Sequence, residues 1–133
     1  MDTHKAYHGL VQPVINFNIN EMACGCDECT DIDDCYTNCV KTLTVLQLLR
    51  GVLQMPITIN SGWRCAKHNK AVSGSEGSRH LVGLAADIST ANWSQQDIDT
   101  AKDWLTENRV FWINYDRHIH IDLRNQVQVS RSG

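Results

Sequence analysis

The stretch GSRHLVGLAADI, residues 77–88, decides how the rest of the chain is read. It sets His80 seven positions ahead of Asp87, with Gly83 between them and two alanines, Ala85 and Ala86, just before the aspartate. Leu84 to Ser89 reads as a buried strand, an apolar run bounded by glycine on one side and a polar loop on the other. His80 then lies just ahead of the strand and Asp87 within it. Gly83 lets the backbone bend into the strand. The alanines keep it slim, either for core packing or where a helix or an ion sits close. Alone, a histidine and an aspartate at this spacing form a weak pattern: His80 could be a loop residue and Asp87 could close a turn.

The complement lies near the other end. HIHIDL, residues 118–123, alternates strictly, so His118, His120 and Asp122 share one face of a strand. Imidazoles and carboxylates from two strands suit zinc, which takes N and O ligands and, in catalytic sites, three protein ligands plus an open position. His80, Asp87 and one of His118 or His120 would supply that set. The alternative is that the histidines are the solvent face of an edge strand.

Between and before these strands the pattern is helical and strand-like by turns. Tyr36, Cys39, Val40, Leu43, Leu46, Leu49 and Leu53 recur at three- and four-residue steps and predict a helix over 32–53, closed by Pro56. ITIN (57–60) predicts a short strand left through SGWR, and Ala66 to Val72 a short helix ending in SGSEGS. Ser94 with Asp97 resembles a capping box opening a helix that runs to about Asn108, with Ile98, Ala101 and Leu105 inward. VFWINY (110–115) is the strand before HIHIDL. The order implies one α+β domain, helices packed against a small, mostly antiparallel sheet.

Composition narrows the function. The 133 residues carry a net charge of −3, and a pI near 6.0 offers no basic footprint for nucleic acid. No apolar stretch is long enough to span a membrane, and the N-terminus shows no signal-peptide pattern. The expectation is a monomer made in the cytoplasm, with Asn125 to Gly133 a frayed tail. Of six cysteines, five (Cys24, Cys26, Cys29, Cys35, Cys39) fall in one window and Cys65 stands apart. The window could hold disulfides, a second zinc ion between Cys24 and Cys39, or thiols packed as small hydrophobes; its C-x-C-x-x-C spacing is not a standard zinc-knuckle pattern.

SRHLVGLAAD fits S-x-H-x-x-G-x-A-x-D at Ser78, His80, Gly83, Ala85 and Asp87. Upstream, Ile59, Ser61, Gly62, Trp63 and Arg64, then His68–Asn69, Val72 and Gly74, follow the I-x-S-G-[YW]-R…HN…V-x-G pattern. FNINEMAC supplies an F-x-x-x-E opening. From about Phe17 to Arg124 the chain resembles the zinc D-alanyl-D-alanine carboxypeptidases and related peptidoglycan peptidases, which include vancomycin-resistance dipeptidases and phage endolysins. The resemblance implies their LAS or hedgehog-like peptidase fold in a single domain spanning 1–133, and metal-assisted hydrolysis of a stem or cross-link peptide of peptidoglycan. It implies His80, Asp87 and His120 as zinc ligands, Arg64 as the group that faces substrate and steadies the oxyanion, and Ser78 as a substrate contact or a loop cap.

One position departs from that pattern. Many relatives carry an acid three residues before the third ligand, where this chain has Arg117. Asp116, His118 and Asp122 remain as bases; His118 is favoured, with Asp116 as its orienter or as the base itself. With no wall-binding segment or leader in view, a phage lysis or virion-associated enzyme, released by a holin or carried in a particle, is the expected setting. The competing reading is a zinc-binding domain of the same fold that has lost catalysis and serves recognition or assembly.

Overall fold

The longest apolar stripe becomes the longest element. In the computed structural model, which describes residues 16–24, 35–72, 74 and 77–125, helix α1 spans Tyr36–Leu53. Its Tyr36, Cys39, Leu43, Leu46 and Leu49 are buried, as the spacing predicts. It stops at Gln54, which takes a left-handed conformation (φ 57°) and donates its N–H to Arg50 O, ahead of Pro56. The expected start at 32–34 and the tail 126–133 lie outside the described residues.

Strand β1 is Ile59–Ser61, two residues later than ITIN, and α2 is Ala66–Ala71. A 3-10 turn covers Arg79–Val82 before strand β2, Ala85–Ser89. Helix α3, Gln95–Glu107, opens on a complete capping box: Asp97 N–H donates to Ser94 Oγ and Ser94 N–H to Asp97 Oδ2. Strands β3, Phe111–Asn114, and β4, His118–Asp122, form the closing hairpin. A further 3-10 turn at Ile19–Met22, capped by Asn18 and Glu21, precedes α1.

The sheet runs β1-β2-β4-β3 and is antiparallel throughout. One face of its central strands presents Ala86, Ile88, Ile119 and Ile121, all wholly buried. Leu43, Leu46 and Leu49 of α1 and Ala101 and Leu105 of α3 join them in one apolar core. Burying that stripe and that sheet face together is what drives the layers shut. The opposite face carries the polar residues. Register sets Asp87 against His120, Ser89 against His118 and Ala85 against Asp122. No helix among the described residues is long and apolar enough to cross a membrane.

Candidate metal centre

His80 is placed by a turn that is fastened from two sides. Ser78 caps it, its Oγ accepting the His80 N–H at 3.1 Å. Gly83 ends it with φ 81°, a left-handed conformation costly for any residue with a Cβ. From behind, Thr42 Oγ1 donates to Gly83 O at 2.7 Å and Asn38 Nδ2 to Val82 O at 2.9 Å, both from α1. The loop after β1 holds the other side: Arg64 N–H donates to His80 O at 2.9 Å. The His80 ring is 1% exposed, and its Nδ1 lies 2.6 Å from Gly62 O. A carbonyl only accepts, so Nδ1 carries a proton, and in the neutral ring Nε2 is then a bare lone pair.

That lone pair points at Asp87, with Nε2 to Oδ1 3.3 Å, and makes no hydrogen bond although it is buried. Two acceptors facing each other in a buried site repel unless a proton or a cation stands between them. His120 approaches from β4, its Nδ1 2.9 Å from Asp87 Oδ1. One ligand atom from each of His80, Asp87 and His120 lies within 4.8 Å of the others, the only such group of three His, Cys, Asp or Glu among the described residues. Two imidazoles and a carboxylate with an orphaned lone pair between them fit a divalent metal of the zinc type.

Behind His120 stands Asp122, wholly buried. Its Oδ2 lies 2.8 Å from His120 Nε2. Arg124 grips the same carboxylate through Nε and Nη2, both at 2.9 Å, and stacks over Phe111 at 3.7 Å. A carboxylate holding one ring nitrogen turns the other toward the ion, as Gly62 O does for His80. Burial opposes charge on Asp87, but the hydrogen bond from His120 and the two imidazoles beside it outweigh that and hold the carboxyl far below the usual carboxylate range. Burial likewise works against a charged His120, yet its bonds to Asp122 and Asp87 raise its pKa from 6.5 to about 9. Asp122 is held down to about 2 against its burial by His120 and Arg124.

The other expected residues are placed as follows. Arg64 is half-buried beside the cluster; burial lowers its pKa and the charge of Asp87 opposes that. Its Nε is buried without a hydrogen bond. Ser78 serves as the cap described above. His118 lies on the face of His120, half-buried, its ring stacked on Tyr115 at 4.7 Å and 17°. Asp116 does not share that face. The strand begins at His118, and Asp116 sits exposed with Arg117 in the bend joining β3 to β4, because Tyr115 N–H already closes the hairpin on His118 O. The Asp122 carboxylate is taken up by His120 and Arg124. The sequence reading missed Gly62 O and Arg124. The second was signalled only by an arginine two positions beyond Asp122; the first, being backbone, by nothing.

Of the clustered cysteines, Cys24 and Cys39 are buried and Cys35 and Cys65 half-buried, while Cys26 and Cys29 lie outside the described residues. No group of three cysteines forms among the described residues.

A family model described as Peptidase M15 matches residues 15–122. No curated protein matches the chain.

Proposed function

The chain belongs to the peptidase M15 family, and from that premise we propose that it is a zinc-dependent peptidase cutting the stem or cross-link peptides of peptidoglycan. The observation that carries this is the convergence of His80, Asp87 and His120 with the Nε2 lone pair of His80 aimed into the gap. Bound there, zinc supplies Lewis acidity and lowers the pKa of a water toward about 7. The chain supplies everything else. Gly62 O and Asp122 fix the two imidazoles so that each offers its free nitrogen. Arg64, held by its backbone to His80, stands beside the cluster where a scissile carbonyl would gain charge. A fixed cation there costs no reorganisation when that charge develops. His118 is the proposed general base, two positions from His120 on the open face. Asp116, in the adjoining bend, is the alternative base or an orienter of His118. Ser78 is proposed to add a substrate contact through its hydroxyl while it caps the turn. The setting proposed is a phage-type lysis or virion-associated enzyme acting as a monomer once it has reached the wall.

Arg117 favours a second reading, a domain that binds zinc and no longer hydrolyses. Digestion of purified peptidoglycan by the zinc-loaded protein, read by mass spectrometry of released muropeptides, separates the two. The enzyme reading expects new termini at one bond type, lost in His80→Ala together with the zinc. It also expects His118→Ala to lose activity with zinc retained. Stoichiometric zinc with no product at any enzyme concentration would establish the binding domain instead.

A further inference from the structure

The N-terminal turn and the loop after β1 touch along their backbones. A Cβ added at Gly62 would lie 2.7 Å from Met22 Cα, and Trp63 N–H donates to Met22 O at 2.8 Å. Two residues further along each segment, Cys24 and Cys65 face each other. Cys24 Sγ–H donates to Cys65 Sγ at 3.7 Å, and Cys65 N–H to Cys24 Sγ at 3.4 Å. A disulfide needs its sulfurs at about 2.05 Å. The two backbones are already held in contact next to the pair, at Met22 and Trp63, so closure calls on rotation of the two side chains.

We propose that Cys24 and Cys65 are an oxidisable pair, closing into a disulfide that fastens the Ser61–Cys65 segment to the Ile19–Met22 turn. Cys65 is the more exposed of the two, so its thiolate attacks first. With a small-molecule disulfide such as oxidised glutathione as oxidant, Cys65 Sγ bonds to one of its sulfurs and the other leaves as a thiolate. Cys24 Sγ, deprotonated, then attacks Cys65 Sγ and expels the second thiol. Two cysteine thiols are oxidised to one disulfide, and the oxidant is reduced to two thiols that take up both protons. Cys39 does not compete: burial, reinforced by Cys35, pushes its thiol up to about 12, far from the thiolate form that reacts.

The segment so fastened carries two of the contacts that hold His80, Gly62 O on its ring and Arg64 N–H on its carbonyl. The cross-link therefore firms the metal centre as well as closing a long loop. A protein made in a reducing compartment and used in an oxidising one would tighten on arrival.

The test treats the full-length zinc-loaded protein with oxidised glutathione, then alkylates remaining thiols under denaturing conditions. Digestion at acidic residues and fragmentation mass spectrometry place the links. The expected result is a chain lighter by two hydrogens, with Cys24 and Cys65 joined and shielded from alkylation. Its melting temperature should rise by roughly 10 °C over the reduced form, as a cross-link across a loop of this length implies. Cys26→Ser should leave all of this unchanged, and Cys65→Ser should abolish it. Comparing oxidised with reduced wild type keeps the test valid if Cys65→Ser does not fold. Full alkylation of Cys24 and Cys65, a link from either to another cysteine, or a second zinc equivalent that shields both thiols would each overturn the proposal.

Discussion

Asp122 is the residue on which the orientation of His120 turns. Its carboxylate, itself wholly buried, takes up Arg124 through two nitrogens and His120 through one. Asp122→Asn keeps the volume but sets an amide N–H against one of those donors. The expected outcome is a zinc affinity weaker by about 10–100-fold, measured by chelator competition; unchanged affinity would remove Asp122 from the site. The proton on His120 gives a second expectation. In the metal-free protein its folded pKa is raised from 6.5 to about 9. The stability it contributes is therefore full below pH 6.5 and is lost as pH rises through about 9. Zinc must displace that proton, so affinity should climb across this window and level off above it. Calorimetry in buffers of differing ionisation heat should detect about one proton released near neutrality and none at the upper end. At this scale the sequence was half legible. Alternation put His118, His120 and Asp122 on one face, but their separate jobs depend on Asp87 pairing with His120 across the sheet, and strand register between distant segments leaves no mark in local pattern.

Elements were more legible than the turns joining them. The α1 stripe, the α3 capping box and HIHIDL each carry a periodicity or a cap that survives folding unaltered. The 3-10 turn bearing His80 has only four residues, too few for any period, and only its cap and its glycine betray it. Asp116 falls in the bend and not on the strand face of His118, since where a hairpin turns is set by its closing hydrogen bonds, here Tyr115 N–H on His118 O. Two glycines then test the reading of the elements they sit in. Gly51, inside α1, has nothing within 4 Å of an added Cβ, so Gly51→Ala should stabilise by up to about 1 kcal/mol through helix propensity. Gly83 is the opposite case: at φ 81°, an added Cβ would meet Cys39 Sγ at 2.8 Å and Cys35 Cβ at 3.2 Å. Gly83→Ala should cost at least about 1–2 kcal/mol for the left-handed backbone alone, and more from the crowding against α1. Thermal melts of the two variants should move in opposite directions. A neutral Gly83→Ala would mean that α1 does not press on the His80 turn.

For the whole molecule the question is whether the metal is needed to fold it. In small zinc modules the ion substitutes for a missing core, and chelation unfolds the chain. Here the two functions lie on opposite faces of one sheet. Ile88, Ile119 and Ile121 face α1 and α3, whereas Asp87 and His120, on the same strands, face away. A chain of this length closes a core without such help. The turn carrying His80 is also held independently of any ion, by Thr42, Asn38, Ser78 and the Gly62 carbonyl. Stripping the metal with a chelator should therefore leave a cooperative melt and an unchanged far-ultraviolet dichroism spectrum, at a lower melting temperature. Metal binding only the native state adds stability by mass action, about 4 kcal/mol when the free ion stands a thousandfold above its dissociation constant. The melting temperature should then rise with the logarithm of free zinc, and His80→Ala should flatten that dependence while still melting cooperatively. Loss of the cooperative transition on chelation would mean that the two faces of the sheet are not independent, and that the site helps to build the fold that presents it.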